Sequence, residues 1–158
     1  MPFEKLQAAR GRMKEEQWRW LYVSLWFGLR PMELDRLAEG KNFEITNNGD
    51  IDVLWIEQLK LSSVSKEDRW KNIPVVFPQQ QEALAMLKLG VKRPLVKTIQ
   101  KHVGPGINTY GGRKAFSDMM TALGQDENHV SRWLGHATLQ RTKRNYVDKK
   151  KVEYKKAG

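Results

Sequence analysis

The chain of 158 residues contains no cysteine. A disulfide framework and a thiolate metal site are therefore excluded, and the absence suits a reducing cytoplasm, the expected location. Histidine is scarce as well. His102, His129 and His136 are too scattered for a zinc motif. Asp and Glu form no compact cluster, which counts against a metal-dependent nuclease. Neither a metal nor a cofactor is expected. The longest apolar stretch, Trp18 to Leu29, is too short and too polar to span a bilayer. The first residues lack the apolar segment of a signal peptide. No helix pairs a basic face with a clean apolar face, so a membrane partner is not expected. Acidic residues are in deficit: 18 Asp+Glu stand against 28 Lys+Arg, a net charge of +10. That balance points to a polyanion, with nucleic acid the leading candidate.

The length suits one domain with a real core. Residues 1–148 read as that domain and residues 149–158 as a basic tail. Six tryptophans are many for this size and should lie inside or at element junctions. Lys14 to Leu29 reads as a helix whose apolar stripe is Trp18, Leu21, Tyr22, Leu25 and Trp26. Gly28 and Pro31 re-aim the chain, and Pro31 opens a short helix through Leu37. Asn47-Asn48-Gly49-Asp50 is a turn between two extended runs, the second being Ile51 to Leu59. Leu61 to Asp68 reads as a loop and Trp70 to Phe77 as a third extended run. Helices are expected again over Gln79–Leu89, Pro94–Val103 and Arg113–Leu123. The last of these buries Ala115, Phe116, Met119, Met120 and Leu123. Asp126 caps a helix through Leu134 that Gly135 stops, and Thr138 caps a final helix carrying Tyr146. The expected fold class is α+β: mainly α with a small three-stranded antiparallel sheet.

Several residues fit one kind of chemistry. Transfer of a phosphoryl group needs cations on the non-bridging oxygens, a proton donor for the leaving oxygen, and a nucleophile. Arg30 follows a helix end and precedes a proline, so a guanidinium there can grip two phosphate oxygens, or it can pair with Glu33, Asp35 or Glu39. Lys60 ends the second extended run and can reach a leaving oxygen as an acid. Lys66, Arg69 and Lys71 compete for that role. Arg113 opens a helix behind Gly111-Gly112, where glycines permit close approach to an anion. Tyr110 can donate to a phosphate oxygen or pack as an aromatic. His136, between two helices, can donate to a phosphate oxygen or act as a cap. Tyr146, beside Lys143 and Arg144, is the candidate nucleophile, since neighbouring cations favour a phenolate. Lys114, Arg132, Arg141, Lys143 and Arg144 are candidate backbone contacts on DNA.

With these residues in order, the chain resembles the catalytic domain of the tyrosine recombinase (phage integrase) family. Gly28-Leu29-Arg30-Pro31-Met32-Glu33-Leu34 resembles the first arginine box. Gln58-Leu59-Lys60 resembles the hairpin lysine, and Tyr110-Gly111-Gly112-Arg113 the His-x-x-Arg box. Val130 to His136 resembles the Leu-Gly-His box, and Thr142 to Tyr146 the nucleophile segment. Tyr110 stands where the family usually has histidine. The ten-residue step from His136 to Tyr146 and the presence of Pro31 are further departures. They fit a divergent branch such as archaeal-virus integrases or telomere resolvases. The family's N-terminal DNA-clamping domain has no counterpart here, so an isolated catalytic domain or a fragment is expected. The resemblance implies a site-specific recombinase or integrase that cleaves and rejoins DNA through a 3′-phosphotyrosyl link. It also implies double-stranded DNA as partner and self-association into a dimer or tetramer. The rival expectation is a non-catalytic basic nucleic-acid-binding module.

Overall fold

The structure is a computed structural model, and it describes residues 1–58 and 69–135, with Asn48 described by its backbone only. Lys60, the loop expected over residues 61–68, His136, Arg141, Lys143, Arg144, Tyr146, the helix expected after Thr138 and the expected tail of residues 149–158 lie outside the described residues. The described elements are α1 (Phe3–Ala9), α2 (Glu15–Phe27), α3 (Pro31–Ala38), β1 (Phe43–Asn48), β2 (Ile51–Glu57), β3 (Trp70–Pro74), α4 (Pro78–Leu89), α5 (Val96–His102), α6 (Gly111–Ala122) and α7 (Glu127–Leu134). The fold is thus mixed α+β, with seven helices and one three-stranded antiparallel sheet of order β1-β2-β3 among the described residues.

α2 is the axis of the helical layer. The sequence marks a single apolar stripe, but Trp20, Val23, Ser24 and Phe27 are buried as fully as the stripe itself. The reason is its surroundings: α1, α3, α4 and α6 all pack on it, so its second half has no solvent face. α1 was not expected from the sequence. Its Leu6 and Ala9 are fully buried, and the Leu6 carbonyl accepts the Trp18 indole N–H at 2.7 Å. α2 stops at Gly28, which takes a left-handed φ of 64°. A Cβ there would collide with the Phe116 ring, so glycine serves both the turn and the packing.

The β1–β2 hairpin is tighter than the four-residue turn read from the sequence. Asn48 pairs with Ile51, leaving Gly49 and Asp50 as the connection. Alternation along β2 splits its side chains between the two faces. Leu54 and Ile56 join the main core under the helices, while Ile51, Val53 and Trp55 form a second cluster with Val76. β3 ends at Pro74, before the expected Phe77, although the Val75 N–H still donates to the Asp52 carbonyl. α6 begins at Gly111, so both glycines lie in its first turn. Leu123 follows the last residue of α6 and is half exposed rather than buried. Asp126 caps α7 as expected, accepting from the Asn128 and His129 N–H groups. Among the described residues no helix is long and apolar enough to cross a membrane.

Candidate active site

Arg30 is the N-cap residue of α3, turned there by Gly28 and fixed by Pro31 in the first helical turn. Its backbone N–H donates to Glu33 Oε1 at 2.8 Å. Its Nη1 donates to Glu33 Oε2 at 3.3 Å and to Gln58 Oε1 at 3.2 Å. The pairing with Glu33 considered from the sequence is therefore present. It engages Nη1 alone, and Nε–H and Nη2 of Arg30 have no partner among the described residues.

Arg113 is held from two sides. Nη1 donates to the Gly28 carbonyl at 2.9 Å and Nη2 to the Leu134 carbonyl at 2.7 Å. These carbonyls belong to the end of α2 and the end of α7, each of which closes on a left-handed glycine. One planar guanidinium thus ties together three segments far apart in sequence. Its Nε–H is unpaired among the described residues. The approach of α6 to α2 depends on Gly112, where a Cβ would press on Ser24 and on the Leu25 backbone nitrogen. Gly135 plays the matching part at α7: a Cβ there would meet the Gln58 side chain, which lies between Gly135 and Arg30. The two glycine-bearing boxes and the end of β2 consequently meet at one place.

Beneath the arginines lies a buried ion pair. Lys71 on β3 is completely inaccessible, and its Nζ is 3.0 Å from Glu33 Oε1. It shares the inward face of β3 with Ile73. Burial is the main reason that the Lys71 pKa falls to about 8. Glu33 opposes that shift, and the Arg113 and Arg30 charges reinforce it. Burial would push the Glu33 carboxyl up, but Lys71, the Arg30 backbone N–H and the Arg30 charge together hold it below its usual range. Arg113 is lowered to about 10, first by burial and then by Arg30, so it stays charged at neutral pH. The Arg30 charge reaches Arg113 because the two guanidiniums border the same small region.

Tyr110 precedes α6 and is 56% exposed, so it is not a packed core aromatic. It lines a cleft of about 380 Å³ with Arg30, Glu33, Arg36, Asn42 and Ile56. Lys114 is exposed on α6, and Arg132 is half-buried on α7. Of the sequence-derived candidates, the structure brings Arg30, Arg113 and Tyr110 into one region. It adds Glu33, Gln58 and Lys71, which the sequence reading treated only as a pairing partner, a motif neighbour and a competitor. A signal for Glu33 was available: a carboxylate three residues past a helix cap reaches back to the cap N–H. Lys71 could have been found as a charge on the inward face of an otherwise apolar strand. Among the described residues no group of three or more His, Asp or Glu is placed to hold a metal ion.

No protein-family model, no curated protein and no solved structure matches the chain.

Proposed function

We propose that this chain cleaves and rejoins DNA strands with Tyr146 as nucleophile, in the manner of the tyrosine recombinase family. The observation that carries the reading is the Arg113 clamp. Boxes resembling the family's first arginine, second arginine and Leu-Gly-His motifs meet through one guanidinium and two backbone carbonyls. Arg30 stands beside them, its Nε–H and Nη2 without a partner among the described residues.

The chemistry follows from that arrangement. A phosphodiester entering the site lays its non-bridging oxygens against Arg30 and Arg113. The phenolate oxygen of Tyr146 attacks phosphorus, and the bond to the 5′ oxygen breaks. Negative charge grows on the phosphorane, and two preorganised guanidiniums stabilise it more than they stabilise the diester. The leaving oxygen takes a proton from Lys60, giving a free 5′ hydroxyl and a 3′-phosphotyrosyl link. Tyr110 and His136 complete the hydrogen bonds to the phosphate. Attack by a 5′ hydroxyl on the link reverses the chemistry, so rejoining needs no ATP. Lys114, Arg132, Arg141, Lys143 and Arg144 hold the flanking backbone, and the +10 charge draws in the duplex. Self-association on double-stranded DNA and a cytoplasmic location belong to the same proposal.

A duplex nicked near the cleavage site, so that the leaving fragment diffuses away, tests it. The wild-type chain should accumulate a covalent protein–DNA adduct, and Tyr146→Phe should form none. Salt-sensitive binding without any adduct would make the chain a non-catalytic nucleic-acid-binding module instead.

A further inference from the structure

Lys71 takes no part in the proposed strand transfer, yet its burial is costly. A fully buried ammonium loses its hydration, and a single carboxylate rarely compensates in full. An apolar side chain at this position of β3 would extend the core that Ile73 and Ile56 already form. The ammonium instead sits against Glu33, and Glu33 in turn holds Arg30 by its backbone N–H and by Nη1. The result is a relay of contacts from the sheet, through one carboxylate, to the candidate phosphate-binding guanidinium.

The charge balance gives the relay a purpose. Arg30 bound to Glu33 alone would be a neutral pair, with little left to attract a phosphate. Lys71 supplies the compensating charge. Arg30, Arg113 and Lys71 against Glu33 leave the cluster at a net charge of +2. A phosphodiester carries one negative charge, and the phosphorane formed by phenolate attack carries a second. A cluster of this net charge therefore favours the transition state over the bound diester.

We propose that Lys71 is a positioning residue: its buried ammonium takes up the charge of Glu33, so that this carboxylate orients Arg30 without neutralising it. The proposal rests on the strand-transfer reading above. Among the described residues, the charges that bear on Lys71 come from Glu33 and Arg30 at the start of α3 and from Arg113 on α6. On β2, the neighbouring strand, Glu57 is paired with Arg69. α7, which also packs on β3, carries Asp126, Glu127, His129 and Arg132, and none of these shifts Lys71.

The test measures the rate of adduct formation on the nicked duplex for wild type, Lys71→Met, Glu33→Gln/Lys71→Met and Tyr146→Phe. Thermal melting of each is recorded alongside. Lys71→Met should slow adduct formation roughly 10- to 100-fold while leaving duplex affinity within a few-fold, because the lost charge acts on the transition state through Glu33 and Arg30. The double variant restores the net charge and keeps an amide oxygen to accept from the Arg30 N–H, so it should recover most of that loss. The wild-type rate should fall as pH rises through about 8, where Lys71 loses its proton. That limb should vanish in the double variant. The wild-type pH profile and the double variant remain informative even if Lys71→Met alone melts early. Equal rates for wild type and folded Lys71→Met, or a double variant slower than the single one, would overturn the proposal and leave the strand-transfer reading intact. Absence of adduct from the wild type would instead remove the strand-transfer reading itself.

Discussion

Replacing Gly112 by alanine is the smallest change that should disable the site without touching any charged group. A Cβ at this position would lie 2.8 Å from Ser24 Cβ and 3.0 Å from the Leu25 backbone nitrogen. Rotation of the Ser24 hydroxyl relieves neither contact. Gly112 and Ser24 are both buried, in α6 and α2, so the helices must separate by several tenths of an ångström. Overpacking of this kind costs about 1–3 kcal/mol. For a domain of this size, that lowers Tm by roughly 2–12 °C, at 2–4 °C for each kcal/mol. The effect on the site is larger in proportion. Arg113 is the next residue, and its bonds to the Gly28 and Leu134 carbonyls, at 2.9 and 2.7 Å, have little slack. A displacement on the order of 1 Å can cost about 100-fold in rate. Scanning calorimetry and adduct kinetics on Gly112→Ala, with Gly124→Ala as the comparison, measure both quantities. Gly124, unlike Gly112, has a positive φ, and a Cβ there meets nothing, so its substitution should cost stability and leave the rate alone. Ser24→Gly should partly rescue Gly112→Ala by removing the side-chain half of the clash. A Gly112→Ala protein with wild-type melting and rate, or one that Ser24→Gly makes worse, would refute the close-approach argument.

Other consequences follow from the same geometry. Arg113→Lys should lose at least roughly 100-fold in adduct formation, because one ammonium cannot bridge two carbonyls and still face a phosphate. Its affinity for duplex DNA, measured by anisotropy, should fall much less. Binding should be strongly salt-dependent: with roughly six phosphates neutralised, log affinity against log salt should have a slope near −5, whereas a slope near zero would remove DNA as the main partner. Stability should respond to Lys71 in the opposite sense from activity. Its folded pKa of about 8 lies below the ordinary 10.5, so between those pH values the unfolded chain binds more protons. The Lys71 contribution to stability therefore rises with pH across that window, after being at its least favourable below pH 8. Thermal melts from pH 7 to 11 should show this rise in wild type relative to Lys71→Met; parallel curves would contradict it.

The helices and the sheet were legible from periodicity and punctuation. Gly28 and Gly135 stop helices where the sequence places the stops, and Asp126 caps as its position demands. The full burial of α2 was not legible, because a stripe of Trp18, Leu21, Tyr22, Leu25 and Trp26 shows which face is apolar first, not how many neighbours enclose the rest. α1 is too short, with too few apolar positions, to stand out from the exposed residues around it. At the site, the motif residues Arg30, Arg113 and Tyr110 were visible as types at spacings. Their support was not. The acceptors for Arg113 are backbone carbonyls, which carry no sequence signature, and the role of Lys71 depends on which face of β3 turns inward. The tight contacts of Gly112 with Ser24 and of Gly135 with Gln58 exist only once the chain is folded.

In the proposed reaction this cationic pocket serves a tyrosine nucleophile at position 146. Digestion of the trapped protein–DNA adduct, followed by mass spectrometry of the nucleotide-bearing peptide, identifies the linked residue directly. The 3′ phosphate should be found on Tyr146. A link to Tyr110 or to any other residue, or a cleaved strand with no protein attached, would contradict the account.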